Sequence, residues 1–479
     1  MDNLKNKTIT GFIWRFMQNA GTQIVNFIIS IVLARILTPN DYGIVAMVTV
    51  FTSIAMVFIN VGFSSSIIQK KDLTDTDINT SFYSSLLVGL ILYIILFFCS
   101  PLIASFYEES LLIKLIKVES LMVVFGSIYS VPQALLTRTL QFKKSFILSV
   151  VGMIVQGAFG ILFAYNGFGP WALVLSTVLN YFVCAILIWF IVSWKPKLCF
   201  SIESFTRTFR FSFQMLIASL LDTIFNNIRS IIIGKQYNSS DLAYYNRGYQ
   251  FPTLVMTQVD GAVTTVLFSS LSKFQDDWEN GLKVLRRAMK TSMYVCTPLM
   301  FGLFIVARPM IIFLLTDKWL PSVKYVQLIC ILCLSWPLSS LRHALNALGK
   351  SDVSLKLNFF NKFITLIFLL ITYRISIDLM ILSTVIAAYL THCISMFVYR
   401  KYLKYSIKEQ VLDILPSLIL SFMMISIISF LSIFNLGNTC LLFVQISVGI
   451  ISYILLSIIF KNDSYIYILD FLKSFLKNK

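Results

Sequence analysis

The sequence predicts an all-α polytopic membrane protein of about 14 transmembrane helices, built as two parallel six-helix repeats followed by two further helices. Three observations carry this expectation. Fourteen long apolar stretches succeed one another with mostly short connections. The chain is 57% hydrophobic and 13% charged, whereas a soluble domain carries roughly 25% charged residues. Short polar motifs also recur about 200 residues apart and in the same order.

A helix needs about 20 mostly apolar residues to cross a bilayer. Stretches of that kind lie near 10–37, 42–68, 80–106, 112–137, 145–166, 169–193, 208–234, 241–270, 289–315, 323–348, 353–375, 377–399, 410–434 and 439–460. Met1 to Thr10 is polar, and the run after it is longer than the apolar region of a cleavable leader, so span one is expected to serve as both signal and anchor. No connection is long enough to fold as a soluble domain of usual size.

The net charge is +17. The basic residues sort onto alternate connections. Lys5 and Lys7, Lys70 and Lys71, Arg138 to Lys144, Lys195 to Arg210, Lys273 to Lys290, Lys350, Arg400 to Lys408, and the tail all fall on one side. The opposite connections hold few, such as Lys235, Lys318, Lys324 and Arg374, and one of them carries Glu108 and Glu109. Such asymmetry is an orientation signal rather than a nucleic-acid footprint. It predicts both termini in the cytoplasm and an even number of spans.

The repeat is read from matching positions. Leu37-Thr-Pro-Asn-Asp41-Tyr-Gly43 follows span one, and Tyr237-Asn-Ser-Ser-Asp241-Leu-Ala243 follows span seven, with each Asp expected at a helix N-cap. Phe63-Ser64-Ser65 matches Phe268-Ser269-Ser270, and Leu175 to Val178 matches Leu382 to Val385. The expected organisation is a six-helix lobe over 1–200, a second over 201–405, two helices over 406–460 and an amphipathic cytoplasmic tail over 461–479. Six is an even number, so the second repeat enters from the same side as the first, and transporters with parallel repeats bind substrate between their halves. In the tail, Tyr465, Ile468, Leu469, Leu472, Phe475 and Leu476 recur at helical spacing, as on an interfacial helix. The stretch around Trp278, Leu282, Val284 and Leu285 is expected to lie on the surface similarly.

Functional information sits where polar residues interrupt the apolar spans. Span one carries Arg15, Asn19, Thr22 and Asn26 within a narrow arc, and span seven carries Ser219, Asp222, Asn226 and Arg229 on one face. Asn26 and Asn226 are 200 positions apart. Span two offers Thr49, Ser53 and Asn60, and span eight offers Arg247, Gln250, Gln258 and Thr265. A charge at mid-bilayer costs roughly 2.5–3.5 kcal/mol even on the lenient insertion scale, so these residues must face something polar. They could pair with one another across the bundle. Arginines outnumber the acids available, chiefly Asp222 and Asp260, which points instead to a cationic cavity suited to an anion. Arg15, Asn19, Asn26, Asn226, Arg229, Arg247 and Gln250 are its expected lining. Asp222 and Asp260 are candidates for ion coupling, and packing is the other reading of Asp260.

Catalytic and metal-binding patterns are missing from the sequence. It has two histidines, no HExxH, no GxSxG and no phosphate-binding Walker motif. Cys330 and Cys333 form a CxxC inside an apolar span, without a second pair, and read as buried thiols. No cofactor, no metal and no enzymatic activity are expected.

Leu33-Ala-Arg35-Ile-Leu-Thr-Pro-Asn-Asp41-Tyr-Gly43 resembles the signature that closes span one of the Wzx-type polysaccharide flippases, within the multidrug/oligosaccharidyl-lipid/polysaccharide exporter superfamily. Asp241-Leu-Ala-Tyr244-Tyr245-Asn246-Arg247 resembles the segment that opens their second half, with Leu242-Ala243 where Leu-Gly is commoner. Leu140-Gln-Phe142 and the Gly169-Pro170-Trp171-Ala172 turn fit as well, and the branch resembled is that of the colanic-acid and teichuronic-acid exporters. The resemblance covers about residues 1–405 and is strongest over 1–270. It implies movement of an undecaprenyl-pyrophosphate-linked oligosaccharide repeat unit from the cytoplasmic to the outer leaflet by alternating access, for surface polysaccharide such as O-antigen, capsule or exopolysaccharide. It implies a bilayer and a polyprenyl-pyrophosphate-linked oligosaccharide as partners, with polymerase and chain-length machinery beside them. A lipid II flippase and a drug/cation antiporter of the same superfamily are the alternatives. A membrane glycosyl polymerase or ligase is the alternative from another class, but it would need a large external loop.

Overall fold

A computed structural model describes residues 2–70, 72–271, 274, 277–431, 433 and 437–477; side chains at 2–13, 15–16, 19–20, 211, 260, 262–270, 340, 471–472 and 474–477 fall outside the description. Its α-helices run in the order α1 (Asp2–Ile36), α2 (Pro39–Gly62), α3 (Ser64–Gln69), α4 (Asp75–Tyr107), α5 (Leu111–Glu119), α6 (Leu121–Arg138), α7 (Phe142–Tyr165), α8 (Pro170–Ile191) and α9 (Ile202–Gln236). They continue through α10 (Ser239–Leu271), α11 (Trp278–Leu315), α12 (Ser322–Cys333), α13 (Trp336–Ala347), α14 (Ser351–Thr372), α15 (Ile377–Leu403), α16 (Ile407–Leu431), α17 (Asn438–Ile459) and α18 (Asp463–Lys477). The described residues contain no strand. Helices satisfy their own backbone groups, which hydrocarbon cannot do.

Eleven segments among the described residues are long and apolar enough to cross a membrane. The remaining expected spans fall on α1, on α5 with α6, and on α10, which are helical too. In the fourth of the expected spans, a break at Ser120 leaves neither α5 nor α6 long and apolar enough alone. Phe98, Leu102 and Phe190 are 73%, 72% and 83% exposed, which suits lipid and not water. The protein is a multi-pass membrane protein.

Packing divides the chain into two compact units, Met1–Ala243 and Tyr244–Lys479. Within the first unit α1 lies on α7, α7 on α8, α4 on α6, and α9 on α2 and α4. Polar side chains join several of these pairs. Gln18 donates to Ser149 at 3.4 Å, Asn180 donates to Gln156 at 2.9 Å, and Ser85 and Ser130 share a bond of 3.1 Å. Such bonds hold helices together where water is absent.

The turn between α1 and α2 shows why its sequence is so specific. Thr38 is the N-cap, and Asp41 completes a capping box: the Asp41 amide donates to the Thr38 hydroxyl, and the Thr38 amide donates to the Asp41 carboxylate at 2.9 Å. Pro39 occupies the first turn, where its missing N–H costs nothing. The expectation that Asp41 is itself the cap is corrected, since the cap lies three residues earlier. The same correction applies to Asp241, whose amide donates to the Asn238 side chain at 2.8 Å. The paired cap positions are again 200 apart. Ser239 in turn donates to Asn40, and a Cβ at Gly43 would lie 1.7 Å from the Ser239 carbonyl oxygen. Only glycine permits this approach of α2 to the start of α10.

The other repeated motif behaves likewise. Ser176 and Thr177 both donate to the Leu173 carbonyl, and Ser383 and Thr384 both donate to the Met380 carbonyl. The Phe268 to Ser270 match lies outside the described side chains, whereas Phe63 marks the break between α2 and α3.

In the second unit α11 packs on α12, α16 and α17, and α14 packs on α15. The stretch expected on the surface around Trp278 is instead the first turns of α11, which continues without interruption past Pro298 and Pro309. Its charged positions lie on one face and do not interrupt helical hydrogen bonding. Arg286 on this helix grips Asp413 of α16 through Nε at 2.7 Å and Nη2 at 3.1 Å, and reaches Glu409 at 2.6 Å. Lys290 approaches Asp413 at 3.3 Å, and the buried Tyr405 hydroxyl donates to it at 2.7 Å. Burial raises the Tyr405 phenol, and Asp413 raises it further, so the hydroxyl remains a donor. Asp413→Ala should therefore cost about 3 kcal/mol, since it strands the buried Tyr405 hydroxyl and two half-buried cations. Thermal denaturation of the purified protein checks this; a melting temperature equal to wild type would show that α16 does not depend on Asp413.

Candidate functional site

In the first unit the candidate residues lie on α1 and α9. Asp222, Asn226 and Arg229 follow one face at positions i, i+4 and i+7. Burial separates them: Asp222 and Asn226 are exposed, whereas Arg229 is 8% exposed. The difference arises because the C-terminal part of α9 is covered by the first unit. A Cβ at Gly234 would meet the Tyr107 ring at 2.9 Å and Met47 at 3.3 Å. Asn26 is exposed on α1. Arg15, Asn19 and Asp260 have side chains outside the description.

In the second unit Arg247 and Gln250 come together. The Arg247 Nη1 donates to Gln250 Oε1 at 2.6 Å, and its guanidinium carbon lies 5.4 Å from the centre of the fully buried Trp319 ring. Tyr244 meets Trp319 edge-on at 6.1 Å, and Tyr245 meets Tyr325 at 6.3 Å. A Cβ at Gly248 would lie 2.4 Å from that of Tyr325, so the glycine lets α10 close onto α12. The result is a guanidinium, in a residue 5% exposed, that lies beside an aromatic ring and bonds an amide oxygen. A planar fork placed in this way suits bidentate recognition of phosphate better than a lysine would.

Two buried acids inside expected spans were missed, Asp413, described above, and Glu119. Glu119 ends α5 inside the fourth expected span and is 2% exposed. Its Oε1 accepts from Thr49 at 3.3 Å and from Thr52 at 3.2 Å, both on α2, while Oε2 has no hydrogen-bond partner among the described residues. Asp222 and Asp260 are thus not the only acids within spans. A scan for single acids inside apolar stretches would have found both. Asp77, at the start of α4, is a further buried acid, held by Thr74, Lys70, Ser204 and Arg207.

A family model described as "Polysaccharide biosynthesis protein" matches residues 32–324, from the glycine-bearing turn through the Arg247 and Trp319 region. The chain belongs to this family. Among its curated relatives, the teichuronic acid biosynthesis protein TuaB of Bacillus subtilis (strain 168) is 24% identical over 69% of this chain and 69% of its own. The lipopolysaccharide biosynthesis protein WzxC of Escherichia coli (strain K12) is 24% identical over 76% of this chain and 74% of its own. This family member also shares its fold with the lipid II flippase MurJ in an inward closed conformation, at a TM-score of 0.77 and 19% identity, over 95% of this chain and 99% of that one. An inward-facing multidrug resistance MATE transporter gives 0.61 at 14% identity, over 80% and 94%.

Proposed function

We propose that this polysaccharide biosynthesis protein is a flippase that carries a polyprenyl-pyrophosphate-linked oligosaccharide from the cytoplasmic to the outer leaflet by alternating access. Membership of the family carries the reading, and buried arginines on membrane helices give it a chemistry. Arginine grips phosphate through paired, charge-assisted hydrogen bonds, and a lipid-linked pyrophosphate is the anion that such a pathway meets. Arg229 and Asn226 in the first unit, and Arg247 with Gln250 in the second, are the proposed binding residues, with Arg15, Asn19 and Asn26 on α1. Asp222 and Asp260 are proposed for ion coupling. The named relatives favour a surface polysaccharide repeat over a drug as cargo. A role in transport rather than catalysis, a place in the cytoplasmic membrane with both termini inside, and work beside a polymerase and chain-length machinery complete the proposal. The distribution of Lys and Arg supports the orientation.

Reconstitution of the full chain in liposomes tests it. A labelled polyprenyl-pyrophosphate oligosaccharide should become accessible to an external glycosidase much faster than in protein-free vesicles, while a cationic drug should not move. Transport of the drug and retention of the oligosaccharide would overturn the proposal.

A further inference from the structure

A basic cavity of about 480 Å³ opens where α11 meets α18 in the second unit. Lys283, Arg286, Arg287 and Lys290 enter it from one face of α11, at positions i, i+3, i+4 and i+7, and Ser464 and Tyr467 enter it from α18. Asp463 is the one carboxylate in its lining among the described residues. The four cations are not equivalent. Arg286 and Lys290 are committed to Asp413, and Lys290 also lies 3.8 Å from Asp463. Arg287 stacks on Tyr467 at 4.4 Å, and among the described residues no carboxylate lies within ion-pair reach of it. Among the described residues Lys283 has only the exposed Glu279 at 3.8 Å and the Asn280 side chain.

A second cavity, of about 470 Å³, adjoins the first and shares Lys290, Asp463 and Ser464 with it. Its character is different. Leu412, Leu415 and Ile419 of α16 and Phe460 after α17 line it, and each is exposed by 42% or more. A donor-rich chamber therefore runs into an apolar groove on the lipid-facing surface. Free phosphate would use only the first half of this arrangement.

We propose that the paired cavities bind an anionic phospholipid, with its headgroup phosphate at Arg287 and Lys283 and its acyl chains along Leu412, Leu415, Ile419 and Phe460. Basic recesses between membrane helices at the headgroup level favour anionic lipids by charge, and the adjoining apolar wall supplies the burial that a headgroup alone lacks. This site is separate from the residues proposed above for the cargo.

Native mass spectrometry of the purified full-length protein tests the proposal. Phosphatidylglycerol should bind about tenfold or more tightly than phosphatidylcholine with the same acyl chains. The double variant Lys283→Gln, Arg287→Gln should bring phosphatidylglycerol down to the phosphatidylcholine level, and Arg287→Lys should retain most of the preference. Neither residue touches Asp413, so the melting temperature of the double variant serves as the folding control. Equal binding of the two lipids by wild type, or an undiminished preference in a folded double variant, overturns the site. Displacement of the lipid by inorganic phosphate, beyond that by chloride at equal ionic strength, overturns its assignment to a lipid.

Discussion

Gly43→Ala is expected to destabilise the protein by about 3 kcal/mol or more and to deplete it from membranes. The added carbon would fall 1.7 Å from the Ser239 carbonyl oxygen and 2.2 Å from its carbon. Both atoms are backbone, so no rotamer change relieves the clash. The start of α2 would have to move away from the start of α10, which also breaks the bond from Ser239 to Asn40. A thermal denaturation assay in detergent measures the effect. Gly62→Ala is the matched control, because nothing lies within 4 Å of its added carbon, and it should melt like wild type. Equal melting of Gly43→Ala and wild type would show that the two helix starts lie farther apart.

Arg247→Ala is expected to lower polysaccharide export ten- to a hundredfold, roughly the loss of one charge-assisted contact to phosphate at about 1.5–3 kcal/mol. Export is read as surface polymer in cells lacking their own copy, alongside the amount of protein in the membrane. Arg247→Lys separates charge from geometry. It keeps the cation but loses the planar fork that bonds Gln250 and lies near Trp319, so it should export poorly too. Arg229→Ala should behave like Arg247→Ala. Normal polymer at normal protein level removes either residue from the proposed site, and loss of protein together with polymer assigns it to folding instead.

Much of the fold was legible because lipid imposes a simple rule on sequence. Long apolar runs such as those of α4, α16 and α17 can be little else but spanning helices. The turn at Thr38 to Gly43 was legible as a turn, yet its cap was read three residues late: sequence shows which polar groups are near a helix start, not which one accepts the amide. Trp278 to Lys290 was misplaced for a related reason. Charges on one face of a helix look the same whether the helix ends in the headgroups or carries on across the membrane. Contacts distant in sequence were beyond reach. Arg286 and Asp413 are 127 residues apart, and nothing local in either helix names the other. The stripe of Asp222, Asn226 and Arg229 could be drawn from spacing alone. That Arg229 is covered and Asn226 is not depends on which neighbour lies against each turn of α9. Glu119 was hidden by its surroundings, because a single acid barely alters the average of an apolar run.

The packing of α9 bears on how the chain is made. A helix carrying Asp222 and Arg229 is a poor substrate for release into lipid by the insertion machinery, given roughly 2.5–3.5 kcal/mol for each charge near mid-bilayer. Its Arg229 end becomes acceptable once α2 and α4 are present to cover it, and both emerge from the ribosome earlier. The helices before α9 are thus expected to act within the nascent chain as a template for its C-terminal half. A polypeptide stopped near residue 200 would leave the surface that α9 covers open to lipid.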